Sequence, residues 1–305
     1  MGRGSRQSAR VAGFRQGAQR PRFARGGLEP PGGEDGIVSD FLETVLSRRR
    51  DRIRAEYGGL SRADLERLAC CARPPRDFAA ALRDRSDVAV IAEVKKASPS
   101  AGPIAPDCEA SKQALHYQDG GAAAISVLTE PEFFGGSWTD LSDVADAVDV
   151  PVLCKDFVVD PLQLYAARGH GADAVLLMVS VLGHRTGDFA DIAETLGLTA
   201  LVEVASVDEF AIALDARSKL IAVNSRNLRT LEVDTDRARE IMLRAKGFEV
   251  TLVAASGIKT RADVEAAAGA GAWAVLVGET LMRASFPEDV LAVLTGVPTS
   301  AFEDD

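Results

Sequence analysis

Residues 250–278 read VTLVAASGIKTRADVEAAAGAGAWAVLVG. A short, almost wholly apolar run, Val250–Ala254, gives way to Ser256-Gly257-Ile258, then to an amphipathic stretch, Ala262–Ala268, and then to a second apolar run, Ala274–Val277, which stops at Gly278. Runs this short without polar alternation suit strands covered on both faces. The stretch between them, closed by glycine, suits a helix. Strand, helix and strand in this order form a right-handed crossover unit of a parallel sheet.

The same pattern extends towards the N-terminus. Further apolar runs occur at Val88–Val94, Ala123–Leu128, Val152–Leu153, Ala174–Met178, Ala200–Val204 and Leu220–Val223, and helical periodicity appears in Lys112–Gln118, Leu162–Arg168, Asp188–Leu196, Val207–Leu214 and Asp236–Arg244. Eight strand and helix pairs in about 210 residues is the size of a (β/α)8 TIM barrel. An open doubly wound sheet would show a glycine-rich phosphate turn after its first strand, and Glu93-Val94-Lys95-Lys96 is not one. Ahead of the first strand, apolar residues at helical spacing (Phe41, Leu42, Val45, Leu46, Ile53) predict a helix over Phe41–Tyr57. A second helical pattern, Leu65–Leu82, is broken around Pro74 and Pro75. Two helical segments are therefore expected before the barrel. The expected domain runs over residues 37–296, preceded by a disordered basic tail, 1–36, and followed by a short acidic tail, 297–305.

Composition sets limits on the partners. The net charge of −10 combines +4 in residues 1–36, where seven Arg face Glu29, Glu34 and Asp35, with −14 in the remainder. An acidic body argues against nucleic acid. No apolar stretch reaches the roughly 18 residues of a membrane span, and the Arg-rich start lacks the apolar core of a secretory signal. Cys70, Cys71, Cys108 and Cys154 show neither CxxC spacing nor a histidine pair nearby, so the expectation is reduced thiols in the cytoplasm, with no metal. His116, His170 and His184 fall in or beside helices and are expected to be surface or packing residues.

In such a barrel the chemistry sits at the C-terminal ends of the strands. Those ends carry Glu93 and Lys95, Lys155, Glu203, Asn224 and Arg226, Ser256-Gly257, and Gly278-Glu279. Two acids and two lysines in one bowl can shift each other's pKa values towards working pH, which suits general acid–base chemistry. Each alone could be a solvated or ion-paired strand end; together they point to a site. Ser256-Gly257-Ile258 and Gly278-Glu279-Thr280 match the phosphate cradle found after the last two strands of many barrels, with Arg226 as a side-chain donor. The loop Glu130–Gly136 carries Phe134, which could stack on a flat ligand or pack on the rim. Cys154, after Val152-Leu153, reads as a buried small residue.

From about Phe41 to Leu294 the chain resembles the indole-3-glycerol-phosphate synthases. The resemblance rests on Ile91-Ala92-Glu93-Val94-Lys95-Lys96-Ala97-Ser98-Pro99-Ser100, Leu128-Thr129-Glu130 with Phe134-Gly135-Gly136-Ser137, Lys155-Asp156-Phe157, Leu201-Val202-Glu203-Val204, Asn224-Ser225-Arg226-Asn227-Leu228 and Gly278-Glu279-Thr280-Leu281-Met282. The resemblance implies a lyase of tryptophan biosynthesis, converting 1-(2-carboxyphenylamino)-1-deoxyribulose 5-phosphate to indole-3-glycerol phosphate with loss of carbon dioxide and water, and it implies no cofactor. It assigns proton donation at the ribulose carbonyl to Lys155, and places Lys95 near the anthranilate carboxylate as a second donor. Glu93 and Glu203 become candidate bases, and Asn224 holds the sugar. Ser98, Arg226, Ser256, Gly257, Gly278 and Glu279 become the phosphate grip, and Phe134 contacts substrate. The chain departs from the family at Ala255, where a glutamate is usual, and more mildly at Ala222, where glycine is common. Two rivals remain: a barrel isomerase of a related phosphoribosyl compound, and a non-catalytic relative that binds the ligand or a partner protein.

Overall fold

Each apolar run forms a strand: β1 (Ala89–Val94), β2 (Ala124–Leu128), β3 (Val152–Lys155), β4 (Ala174–Met178), β5 (Thr199–Val204), β6 (Leu220–Asn224), β7 (Thr251–Ala255) and β8 (Ala274–Val277). The computed structural model describes residues 41–299; the expected basic tail, the first residues of the expected domain and the end of the acidic tail lie outside them. All eight strands pair in parallel with their sequence neighbours, and β8 returns to β1, with Ala89 opposite Ala274 and Ala92 opposite Val277. The sheet is a closed barrel, so no edge is left to pair elsewhere.

Among the described residues three helices precede β1, α1 (Phe41–Tyr57), α2 (Arg62–Cys70) and α3 (Phe78–Arg83), where the sequence pattern predicts two segments. The difference arises at Pro74-Pro75: proline lacks the N–H that a continuous helix needs, and the interrupted pattern resolves into two helices with separate caps. Ser61 caps α2 in a reciprocal box with Asp64, and Asp77 caps α3 through Ala80 N. The crossovers are α4 (Ala110–Asp119), α5 (Trp138–Ala147), α6 (Leu162–Gly169), α7 (Val179–Leu182) with α8 (Thr186–Thr195), α9 (Val207–Asp215), α10 (Thr235–Arg244) and α11 (Arg261–Gly269); α12 (Glu279–Met282) and α13 (Pro287–Leu294) follow β8. After α13 the chain runs back under the barrel beyond the expected boundary at residue 296. Val88 N donates to Val297 O at 2.7 Å, and Val297 and Thr299 are buried.

Alternation along the strands separates two apolar layers. Val90, Ala92 and Val94 of β1 belong to the cluster between barrel and helices, whereas Ala89 and Ile91 belong to the interior cluster with Leu153, Leu176, Leu201, Ala222, Val253 and Leu276. Side chains two apart share a face. The interior series 89, 91 therefore continues to Glu93, 153 to Lys155, 201 to Glu203, 220 and 222 to Asn224, and 253 to Ala255. Hydrophobic residues fill the barrel low down, and Glu93, Lys155, Glu203 and Asn224 come last in their inward series, at one end.

Helix α1 is tied to that end by a buried ion pair. Arg49, 2% exposed, donates through Nε to Asp156 Oδ1 at 2.9 Å and through Nη2 to Asp156 Oδ2, while its guanidinium lies 5.6 Å from the Trp138 ring centroid. Asp156 also accepts from Thr129 Oγ1 at 2.6 Å and Phe157 N at 2.8 Å, so the segment just after Lys155 is held from three directions. Removing one member of such a pair strands the other's charge in a dry place. Arg49→Met is expected to destabilise the fold by about 3–5 kcal/mol. Denaturant unfolding checks it, and a loss below about 1 kcal/mol would show that α1 is not fastened by this pair.

Candidate active site

The polar strand ends line one cavity of about 770 Å³ at the barrel mouth. Glu93, the last inward residue of β1, is 3% exposed and meets Lys95 Nζ at 2.8 Å. Burial pushes its carboxyl up, but the ammonium groups of Lys95 and Lys155, with Arg226 beyond them, outweigh that and hold it below the ordinary carboxylate range. Glu93 is thus an ionised carboxylate set among cations. Gly278 at the end of β8 lies directly against this pair: a Cβ there would come within 2.5 Å of Glu93 Oε1 and 3.1 Å of Lys95 Nζ. Gly278, expected from the sequence at a phosphate, has a steric reason to be glycine in this contact.

Across the mouth, Glu203 of β5 and Asn224 of β6 form a second unit. Asn224 Nδ2 donates to Glu203 Oε1 at 3.0 Å, and Asn224 Oδ1 accepts from Arg226 N at 2.9 Å and from Ser256 Oγ at 2.8 Å. With these partners the amide has one orientation that satisfies every bond. Ser256, expected at the phosphate, is therefore also what fixes Asn224, a role that spacing along the chain could not reveal because the two residues meet across a strand pair. Ser256 and Gly257 both have positive φ, 67° and 79°. A Cβ on Gly257 would crowd Val233, Ser225 and Thr235 at 3.3–3.4 Å. The turn after β7 thereby stays tight against the loop after β6.

One side of the cavity suits an anion. Ser98, Arg226, Gly257, Thr260 and Gly278 line it, the last three on the turns after β7 and β8, where backbone N–H groups can meet an anion. Arg226 Nη1 also donates to Leu231 O at 2.8 Å, which holds its guanidinium in place. Glu279 lines the same side, but its carboxylate pairs with Arg283 Nε at 2.9 Å and could meet an anion only through its backbone N–H. The other side is apolar: Phe41, Leu128, Phe134, Phe157 and Met178. Phe134 lines the cavity and lies 6.0 Å from the Phe157 ring at a tilt, whereas Phe133 packs edge-on against Phe41 at 5.3 Å. Phe41 carries no motif, and only the folded position of α1 brings it to the mouth.

Other charged residues of this end are structural. Glu130 accepts from the backbone N–H groups of Glu132, Phe133 and Phe134, shaping the loop that carries the aromatics. Lys96, next to Lys95, points outward and binds both oxygens of Asp140, at 2.7 and 2.8 Å. Cys154 is buried, and burial raises its thiol to about 12, which makes it a packing residue. His116 is exposed on α4, His184 lies in a short 3-10 turn, and His170 stacks on Trp138 at 5.4 Å. Among the described residues no three or more His, Cys, Asp or Glu side chains gather as a metal-ligand set, and no helix is long and apolar enough to cross a membrane.

The family model of indole-3-glycerol phosphate synthase matches residues 42–293. A Mycobacterium avium protein of that name is 46% identical over 261 residues, covering 85% of this chain and 94% of the relative, and one from Mycobacterium tuberculosis H37Rv is 45% identical over the same shares. Among solved structures, a 3-hexulose-6-phosphate synthase superposes with a TM-score of 0.56 at 19% identity, over 68% of this chain and 97% of the other. The Salmonella typhimurium protein of the same name gives 0.55 at 15%, over 68% and 96%. At those identities the structural likeness speaks for the barrel alone.

The Glu93 cluster has a pH signature. A carboxylate whose folded pKa is depressed contributes stability that is present above its unfolded value and is lost as pH falls through the folded one. Lys95→Met removes the nearest cation and should let burial raise the Glu93 carboxyl. The stability gap between wild type and variant is then expected to be largest near neutral pH and to shrink in acid, as pH falls from the variant's higher Glu93 pKa through the depressed wild-type one, below which the carboxyl is neutral in both folded proteins. Urea unfolding at neutral pH and in acid measures it, and an equal gap at both would remove the electrostatic role of the pair.

Proposed function

The chain belongs to the indole-3-glycerol phosphate synthase family, and from that premise we propose that it closes the pyrrole ring of indole-3-glycerol phosphate from 1-(2-carboxyphenylamino)-1-deoxyribulose 5-phosphate. The observation that carries this reading is the mouth itself: an apolar wall for an aryl ring, an anion-binding wall for a phosphate, and Glu93 with Lys95 and Lys155 between them. A substrate with an aromatic carboxylate at one end and a phosphate at the other fits that polarity in one direction only. An isomerase of a phosphoribosyl compound would use the phosphate side without needing the aromatic wall.

In this reading the phosphate lies against the turns after β7 and β8 and Arg226, and the ring lies against Phe134 and its neighbours. Carbon–carbon bond formation places negative charge on the ribulose carbonyl oxygen, and the Lys155 ammonium supplies a proton and a positive field there. Fixed in a partly dry bowl, that cation needs little reorganisation as the charge develops. The carboxylate then leaves as carbon dioxide and its electron pair stays in the ring. Dehydration follows: the former carbonyl oxygen takes a second proton, for which Lys95 is placed, and the neighbouring carbon gives one up to Glu203 or Glu93. Asn224, held by Ser256 and Arg226, keeps Glu203 in position. All four cysteines are free, Cys70 and Cys71 on the surface, which suits the reducing cytoplasm we assign to the protein.

Two substitutions test the roles. Lys155→Met is expected to lower kcat at least about a hundredfold with the fold intact, the usual scale for a general acid; near-normal turnover would take Lys155 out of the mechanism. Ala255, 4% exposed in the interior cluster and opposite Asn224 in register, stands where the family usually has glutamate. If a carboxylate there serves to orient the lysines, Ala255→Glu should raise kcat by roughly tenfold, about 1.4 kcal/mol, with KM little changed. Side-by-side steady-state kinetics decide it, and an unchanged or lower kcat would mean that this chain positions its lysines without that group.

A further inference from the structure

Glu203 opens on two sides. The mouth and a smaller cleft of about 220 Å³ share Glu203 and Leu228, so these two form the wall between them. From Glu203 the cleft runs past Ala205 and Glu209 at the start of α9 and Arg237 of α10, to Ser180, which is exposed on α7. Glu203 is 4% exposed; its Oε1 is bound by Asn224, but its Oε2 is buried with no hydrogen-bond partner among the described residues, and the same is true of Arg237 Nε. Both residues line the cleft, and the unmet acceptor of one and donor of the other call for a partner that can donate and accept. Water does this, and the cleft has room for several molecules.

The reaction gives such a path a purpose, an argument that rests on the function proposed above. Per turnover the sugar oxygen gains two protons and leaves as water, the carbon beside it returns one, and the aromatic carboxylate departs as carbon dioxide, leaving its electron pair in the ring. One proton is consumed net. Lys95 and Lys155 hold the protons given in one turnover, and while substrate or product fills the mouth a second route would let the site regain the one it has lost. We propose that the cleft behind Glu203 is a hydrated proton inlet, in which Glu209 and waters held between Arg237 Nε and Glu203 Oε2 pass protons from solvent to the active site. Each hop breaks one O–H bond as the next forms, so no other reactant is needed. Glu209 suits an intermediate carrier: burial and the facing Glu203 raise its carboxyl, against its bond from Ala205 N and the Arg237 and Arg229 guanidiniums, so that it takes up a proton more readily than an ordinary glutamate.

The competing role for Glu209 is structural, since its Oε2 accepts the Ala205 N–H at 2.7 Å beside the α9 cap. Glu209→Gln separates the two, because the amide oxygen keeps that bond and loses the ability to carry a proton. The inlet predicts a kcat lower by roughly tenfold with KM unchanged, a larger solvent deuterium isotope effect on kcat, and partial rescue by formic acid in the buffer. Ser180→Phe, at the outer rim, should narrow the cleft and act in the same direction. Wild-type kcat and isotope effect in both variants would overturn the proposal. A high-resolution crystal structure of the full chain provides a readout independent of turnover: the inlet requires ordered water on Glu203 Oε2 within the cleft, and a dry cleft would overturn it whatever the kinetics. If the wild-type chain forms no indole product, the function reading fails, and the inlet for that reaction falls with it even where the waters are present.

Discussion

A carboxylate 3% exposed stays ionised only with cations against it, and Glu93 has Lys95 and Lys155 in that role. Much of the mouth is arranged around this constraint. Lys95 can reach Glu93 because both stand at the end of β1, and the C-terminal residue of β3 brings in Lys155 on the same interior side. Gly278 is bare because a side chain would enter the Glu93–Lys95 contact. The apolar layer below, from Ile91 to Leu276, excludes water from the base of the bowl and strengthens each charge interaction above it. The cations that stabilise the resting carboxylate are also the groups that a reacting anion would meet.

The barrel was legible in the sequence because its signal is periodic and local. Eight apolar runs, each followed by a helical stretch, leave few ways to bury both faces of a parallel sheet, and strand boundaries shift by only one or two residues, as at β3, which continues through Lys155. Strand ends could be located, and so the polar residues on them could be brought together before any coordinates. Relations between strands were less accessible. That Ser256 fixes Asn224, that Gly278 touches Glu93 and that Phe41 reaches the mouth all depend on register and on the seating of α1. The antiparallel hairpin Ala97–Ser98 with Gly102–Pro103 was also missed, since two-residue strands carry no periodicity. The broken helix before β1 shows the same limit: prolines marked the interruption, but not that each half is capped as a helix in its own right.

Measured against the glutamate that the family resemblance implies at its position, Ala255 leaves the architecture of the site in place and removes a charge. It lies in register with Asn224 on one side and Leu276 on the other, its methyl packed in the interior cluster. Of the acids that line the mouth, Glu93 and Glu203 are the two that end an inward strand series, and they share the cavity with Lys95, Lys155 and Arg226. A third carboxylate would shift this set further towards neutrality; without it the bowl is more cationic, which favours an anionic substrate and leaves less to hold the lysines in one geometry. The side proposed for the phosphate, with Arg226 and the turns after β7 and β8, is untouched by the exchange.

The central claim is that this bowl couples ring closure to decarboxylation, and a stoichiometric measurement tests it most directly. Purified full-length protein is mixed with the anilino-deoxyribulose phosphate while indole fluorescence, released carbon dioxide and proton uptake in weak buffer are recorded together. The account predicts one carbon dioxide released and one proton taken up, before the carbon dioxide hydrates, for each indole formed. Consumption of the sugar phosphate without carbon dioxide, or no indole at all, would contradict it.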